Sequence, residues 1–394
     1  MSKRQLKVLF VIDGLGTGGA ERSLAELLPG LAEADITAII ACLHRRSEGI
    51  ESSVLARGAD VRFLPRGPAS IFGLRRIIAQ ERPDLIHTTI LAASVVGRLA
   101  SIGSPATVLT SLVNTPYAPV RRQDPRVRPL ALSAVRLLDT LTARTLCDHF
   151  HAITGAVKLS AVESMGLDPA RITVVHRGRD PDRLGEPSHG RRLAARHALG
   201  LQADDEVVVN VGRQEFQKGQ RYLIQAVASM LDRRPSLKVL LAGRTGASSP
   251  ELDRLLDRPM LRERVRLLGH RDDVPDVLAA ADVFAFPSLY EGLGGALIEA
   301  MALGLPIVAY DVPAVREVVD AGENAILVAP GSTEELARAL DRVLDDAATS
   351  VAFGRRSRQI FLERFTLSRS TKSMIELYGR LAEAPARAAV ADAR

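Results

Sequence analysis

Four charged side chains in the second half of the chain stand where they could hold a phosphorylated sugar. Val207 to Gly219 reads VVVNVGRQEFQKG, a strand ending at Gly212, then Arg213, then Lys218 just before a helical pattern. Two cations beside a helix start are what a diphosphate requires, since helix N-termini carry partial positive charge and free N–H groups. The same pattern also suits surface charges flanking a turn. A second segment, FPSLYEGLGGALIEAMALGLPIVAY, places Glu291 in a loop after a strand and Glu299 inside the following helix. Gly292, Gly294 and Gly295 between them let backbone approach a ligand. A carboxylate accepts from two vicinal hydroxyls at once, the chemistry that holds a ribose or a sugar ring. Leu297, Ile298, Ala300 and Met301 surround Glu299 with apolar neighbours, so its carboxylate needs a partner.

In the first half, strand VLFVID runs into Gly14-Leu15-Gly16-Thr17-Gly18-Gly19, formally the G-x-G-x-x-G of a dinucleotide site. That site wants an acidic residue ending the second strand, and TAIIACL ends instead in His44-Arg45-Arg46. An NADP-dependent oxidoreductase using Gly14, Gly16 and Gly19 therefore stands as an alternative. His87 closes strand LIHTT, at the carboxyl end where parallel sheets bind ligands, although a structural histidine serves equally. Val120 to Arg136 carries Arg121, Arg122, Arg126, Arg128 and Arg136, suiting a solvated loop or an anionic membrane surface, with Pro125 and Pro129 against one continuous helix.

The elements that must position these residues are legible as short apolar runs alternating with helical patterns. VLFVID, TAIIACL, DVRFLP, LIHTT, ATVLTSL, HFHAIT and ITVVH form one series, and EVVVNVG, LKVLLAG, RVRLLG, DVFAFP, PIVAY and AILVAP a second. Strand–helix alternation implies α/β units with parallel strands buried on both faces. Between them, RGRDPDRLGEPSHG has no sustained apolar period and reads as a linker. At 394 residues the chain exceeds the size of one core. The reading is 1–180 as a first domain, 181–369 as a second, and 370–394 as a last helix and tail.

Composition bounds the class. Hydrophobic residues make up 46% and charged residues 25%, the usage of an ordinary globular protein rather than a disordered one. No apolar run is long enough to span a bilayer. The basic start Lys3-Arg4 before LKVLFVI imitates a signal peptide, but Asp13 interrupts it, so it reads as a first strand. Cys42 and Cys147 lack metal-ligand spacing, so a zinc site and a disulfide framework are not expected and a cytoplasmic setting is. Of the net charge of +6, the excess lies in residues 1–185, with 24 Lys+Arg against 17 Asp+Glu.

With Gly212-Arg213 and Lys218-Gly219 upstream of EGLGGALIEAMALGLPIVA, and GTGGAERSL near the start, the chain resembles family 4 glycosyltransferases. That resemblance implies the GT-B architecture, two Rossmann-like α/β domains facing across a cleft with a C-terminal helix crossing back to the first. It implies retaining transfer from a nucleoside-diphosphate sugar of UDP or GDP type, without a metal or other cofactor, to a glycan or lipid-linked glycan. Arg213 and Lys218 would hold the diphosphate and stabilise the leaving nucleotide. Glu299 would hold the ribose, Glu291 the donor sugar, and backbone amides near Gly292, Gly294 and Gly295 the phosphates; Arg213, Lys218 and Glu291 would be the catalytic set. Gly18, Gly19 and Glu21 would approach the acceptor, with His87 beside them. Two departures from the family pattern stand out: Asn114 occupies the place of a usual histidine, limiting that position to binding, and Val312 to Glu317 lacks the usual paired glycines. The implied location is cytoplasmic, peripheral at the inner membrane face, with no nucleic acid partner. A sugar-nucleotide epimerase and a non-catalytic binder of the same architecture remain as alternatives.

Overall fold

A computed structural model describes residues 5–46 and 49–383. Lys3-Arg4 and the Ala/Arg-rich tail lie outside the described residues. The chain divides into two compact units, one formed by residues 1–118, 126–178 and 367–394, the other by 119–125 and 179–366.

Seven parallel strands build the first unit: β1 (Leu6–Ile12), β2 (Ile36–Cys42), β3 (Asp60–Phe63), β4 (Leu85–Thr89), β5 (Thr107–Leu112), β6 (His149–Ala152) and β7 (Ile172–Val174). Their spatial order is β3-β2-β1-β4-β5-β6-β7. In β1, Val8 to Ile12 are almost wholly buried because helices cover both faces of the sheet. One face is closed by helix Gly19–Glu33 through Leu24, Leu27, Leu28 and Leu31, and by the final helix Leu367–Glu383 through Met374, Leu377 and Tyr378. The chain thus returns to complete the first unit's core.

The second unit repeats the plan with β8 (Glu206–Val211), β9 (Leu237–Ala242), β10 (Val265–Gly269), β11 (Val283–Phe286), β12 (Ile307–Tyr310) and β13 (Ala325–Val328). The order is β10-β9-β8-β11-β12-β13, all neighbours parallel. In both sheets strand succession reverses direction beside the first strand, between β1 and β4 and between β8 and β11. Such switch points leave a crevice at the strands' carboxyl ends, where α/β sheets take ligands.

Two sequence expectations are corrected. The segment read as a linker contains the short helix Pro181–Leu184 and the first two residues of helix His189–Ala198, capped by Asp180 and Ser188, whose side chains accept from the first-turn amides. Of the arginine-rich stretch read as a loop, residues 120–123 lie in the 3-10 turn Pro119–Gln123 and only its end, from Pro129, enters a helix, Pro129–Leu146, with Pro129 in the first turn, where a missing N–H costs nothing.

Candidate functional site

The loops leaving β8 and β11 carry Arg213, Lys218 and Glu291, and the β8–β11 pairing of Val208 with Val283 and Val209 with Phe284 sets them side by side. Hydrogen bonds lace them together: Leu289 N donates to Gln217 O at 2.8 Å and Gln217 Nε2 to Tyr290 O at 2.8 Å. Gly219 makes the approach possible. Its φ is +60, and a Cβ there would lie 1.9 Å from Pro287 O, a contact no side chain tolerates.

Within this frame Lys218 Nζ donates to Glu291 Oε1 at 2.5 Å. Glu291 is 7% exposed, and Lys218 supplies the counter-charge beside its buried carboxylate. The ammonium also sits 5.6 Å from the centroid of Phe286, and its stem passes over Gly212. Helix Gly295–Ala302 begins beyond Gly294, whose φ is +84, and no side chain caps its first turn. Its leading N–H groups are therefore open to an anion.

Glu299, one helical turn further, is claimed by a residue the sequence reading missed. Arg179 Nε donates to Glu299 Oε1 at 2.7 Å, with both side chains largely buried. The guanidinium fills the space where a Cβ on Gly295 would stand, 2.4 Å from Arg179 Nη2. Gly295 is thus small because Arg179 needs the room. Backbone pairing holds Arg179 in place, its N–H donating to Phe365 O at 2.8 Å. The signal available in the sequence was Glu299 itself, a carboxylate among apolar neighbours with no partner in sight.

Arg213 is exposed, and its guanidinium joins neither ion pair. Its backbone shapes the loop instead, Arg213 O accepting from Glu215 N at 2.7 Å. Glu317 sits half-buried in helix Pro313–Val318.

In the first unit, the loop after β1 meets the start of helix Gly19–Glu33, which likewise has no side-chain cap. Glu21 folds over the loop, since a Cβ on Gly18 would lie 2.5 Å from its Oε2. Around Gly19 there is open space, whereas a Cβ on Gly14 would strike His44 O at 2.6 Å. Ile90, following β4, holds φ +73, an unfavourable conformation for a β-branched residue. No periodicity could show that strain. Asn114 Oδ1 accepts from Thr115 N at 2.8 Å.

His87 is buried and fully engaged. Tyr378 OH lies 2.7 Å from Nδ1 and Ser111 Oγ 2.7 Å from Nε2; Ser111 Oγ then reaches His151 Nδ1 at 2.8 Å, and His151 Nε2 reaches Val175 O at 2.9 Å. A carbonyl only accepts, so His151 carries its proton on Nε2, and every donor along the chain of bonds is fixed in turn. Tyr378 donates to His87, His87 to Ser111, Ser111 to His151. Burial holds both imidazoles neutral, His87 well below its ordinary range and His151 at about 4. His87, Ser111 and His151 line a cavity of about 60 Å³ with Phe10, Ser23 and Arg177. Among the described residues no cluster of His, Cys, Asp or Glu is placed to hold a metal ion.

Residues 17–183 match the family model described as Glycosyltransferase Family 4, and residues 205–346 that described as Glycosyl transferases group 1. The chain is 33% identical over 302 residues, 74% of either length, to a 2-deoxystreptamine glucosyltransferase of Streptomyces kanamyceticus. It is 25% identical over 316 residues, 78% of either length, to the UDP-Gal:alpha-D-GlcNAc-diphosphoundecaprenol alpha-1,3-galactosyltransferase of Escherichia coli. In fold it resembles HepE of Anabaena, crystallised with UDP-glucose, at a TM-score of 0.83 and 24% identity over 95% of this chain and 100% of that one. These likenesses set aside the nicotinamide reading of Gly14, Gly16 and Gly19. The chain belongs to glycosyltransferase family 4, with the GT-B fold.

Proposed function

We propose that this glycosyltransferase moves a hexose from a UDP-sugar to a glycan acceptor carried on a lipid, with retention of configuration and without a metal. The observation that carries the reading is the pair of charge-neutralised carboxylates at the β8–β11 switch point, Glu291 with Lys218 and Glu299 with Arg179. UDP as the nucleotude is supported by the UDP-glucose held by HepE and by the UDP-Gal named for the Escherichia coli relative. A lipid-linked acceptor is supported by that relative's name and by the basic first unit.

In this reading the second unit holds the donor and the first the acceptor, near Gly18, Gly19 and Glu21 with the buried His87, while Asn114 keeps the donor-sugar binding role that the family resemblance gives it. Before the donor arrives, Lys218 and Glu291 neutralise each other. The diphosphate draws Lys218 away, with Arg213 closing from the solvent side and the open N–H groups after Gly294 completing the phosphate contacts. Glu291 is then free to accept from the sugar hydroxyls, while Glu299 accepts from the ribose. The bond from the anomeric carbon to the phosphate oxygen breaks, its electron pair leaving with the nucleoside diphosphate. The acceptor oxygen bonds the same face of that carbon, and its proton passes to the departing phosphate. Lys218, Arg213 and the helix start stabilise the charge that develops there. The setting proposed is cytoplasmic, peripheral at the inner membrane face.

Thermal unfolding with UDP, GDP, ADP and NADPH, followed by UDP-sugar hydrolysis, tests the reading. The expected outcome is stabilisation by UDP that both Lys218→Ala and Glu299→Ala abolish. Stabilisation by NADPH alone, indifferent to Lys218→Ala, would overturn it.

A further inference from the structure

Helix Pro129–Leu146 is docked inside out. Its buried residues are Asp139, Thr142 and Ala143. Asp139 accepts from Arg98 Nη1 at 2.7 Å and from Tyr117 OH at 2.8 Å, so a polar side holds the helix to helix Leu91–Ala100 and to the loop after β5. Facing outward, Leu130 is 88% exposed, Leu137 70%, Leu141 59% and Leu138 50%. With about 100° of rotation per residue, these leucines and Ala134 share one arc of about 100°, opposite Asp139. Single exposed leucines are ordinary, but four in one continuous stripe are not.

The charge around that stripe has one sign. On the same projection Arg144 falls about 20° from Leu137, and both it and Arg128, just before the first leucine, are exposed, whereas the two acidic residues between Tyr117 and Cys147, Asp124 and Asp139, are both buried. We propose that this face seats on an anionic lipid bilayer, the leucines entering the acyl boundary and the arginines meeting phosphate headgroups. A second copy is the poorer occupant, because a two-fold contact would set arginines against arginines with no exposed carboxylate on the helix to meet them. The helix lies in the surface rather than through it, as no described helix is long and apolar enough to cross a membrane. The inference deepens the peripheral location already proposed and rests on it for its biological setting. Vesicle binding needs no donor, so the two can fail separately.

The full chain is sedimented with vesicles of phosphatidylglycerol and phosphatidylcholine in equal parts, and with phosphatidylcholine alone. Binding to the mixed vesicles only is expected, weakening with salt. Leu137→Ser with Leu141→Ser should lower the partition by about tenfold or more, and Arg144→Gln by about fivefold. Thermal unfolding and UDP-sugar hydrolysis should be unchanged in all of these, showing that the folded enzyme is intact. The proposal is overturned if the parent chain ignores the mixed vesicles, or if the leucine variant binds as well as the parent. It is equally overturned if light scattering finds a dimer that the leucine substitutions dissolve.

Discussion

A buried carboxylate can hold a diol only while it keeps its aim. At Glu299 Arg179 fixes it, taking one carboxylate oxygen at 2.7 Å and leaving the other for a hydroxyl. Arg179→Met should therefore raise the dissociation constant for UDP about tenfold, roughly 1.4 kcal/mol, while binding of inorganic pyrophosphate stays as it was. Titration calorimetry with both ligands separates the cases, and equal losses for the two would remove Arg179 from ribose recognition. Lys218 acts on the diphosphate itself. Lys218→Ala leaves Glu291 buried without its counter-charge, so stability should fall by about 3 kcal/mol and UDP-sugar hydrolysis by about two to three orders of magnitude. Adding Glu291→Gln should restore most of the stability and none of the hydrolysis, which a merely structural lysine would not predict.

The loops after β8 and β11 work as one element, and Gly219 is where they touch. Gly219→Ala brings a Cβ against Pro287 O in a left-handed conformation. It should cost about 2–4 kcal/mol and weaken UDP binding as the loops part, read from urea melts and calorimetry; a variant as stable as the parent would mean the loops do not abut. How far such elements were legible follows from where their information lies. The strands of both sheets were readable because parallel strands covered on both faces must be apolar throughout, as VLFVID and DVFAFP are. Glu291 and Glu299 were readable because glycines and carboxylates lie within one segment. Arg179 was not: it stands 120 positions from Glu299, in a stretch whose Gly, Pro and Asp content signals only a linker. Helix Pro129–Leu146 was obscured differently, since its leucines mark a stripe that does not face the core and its core side is held by Asp139. The His87 to Val175 chain of bonds had no sequence signal, being assembled from four strands' ends and the last helix.

At the scale of the whole molecule, the chain leaves the first unit after residue 178 and returns at Leu367 to finish its core. The bonds from Tyr378 to His151 tie that returning helix to the sheet, and their direction requires both imidazoles neutral. Protonating His87 would put a second donor against Tyr378, and protonating His151 one against Ser111. The consequence is a pH dependence of stability whose sign is fixed. Above about pH 6.5 both histidines are neutral folded and unfolded, and they contribute no slope. Below it the unfolded chain binds protons that the folded chain refuses, so stability falls until the folded groups titrate, for His151 at about 4. Each histidine removes about 1.4 kcal/mol per pH unit across that window. Paired carboxylates act lower down. Burial pushes Asp320 up, but hydrogen bonds from Arg364 and Arg356 outweigh it and hold the group below its ordinary 3.8, so its contribution is lost only as pH falls past that value. Urea melts between pH 7 and 5 should therefore show a loss of about 2 kcal/mol from His151, with a further loss of the same sign from His87. In His151→Gln, whose amide can accept from Ser111 and donate to Val175 O, the slope should fall by about half. Equal stability at pH 7 and pH 5 would show that these rings take up protons without leaving the fold, and that the returning helix is held by its apolar contacts alone.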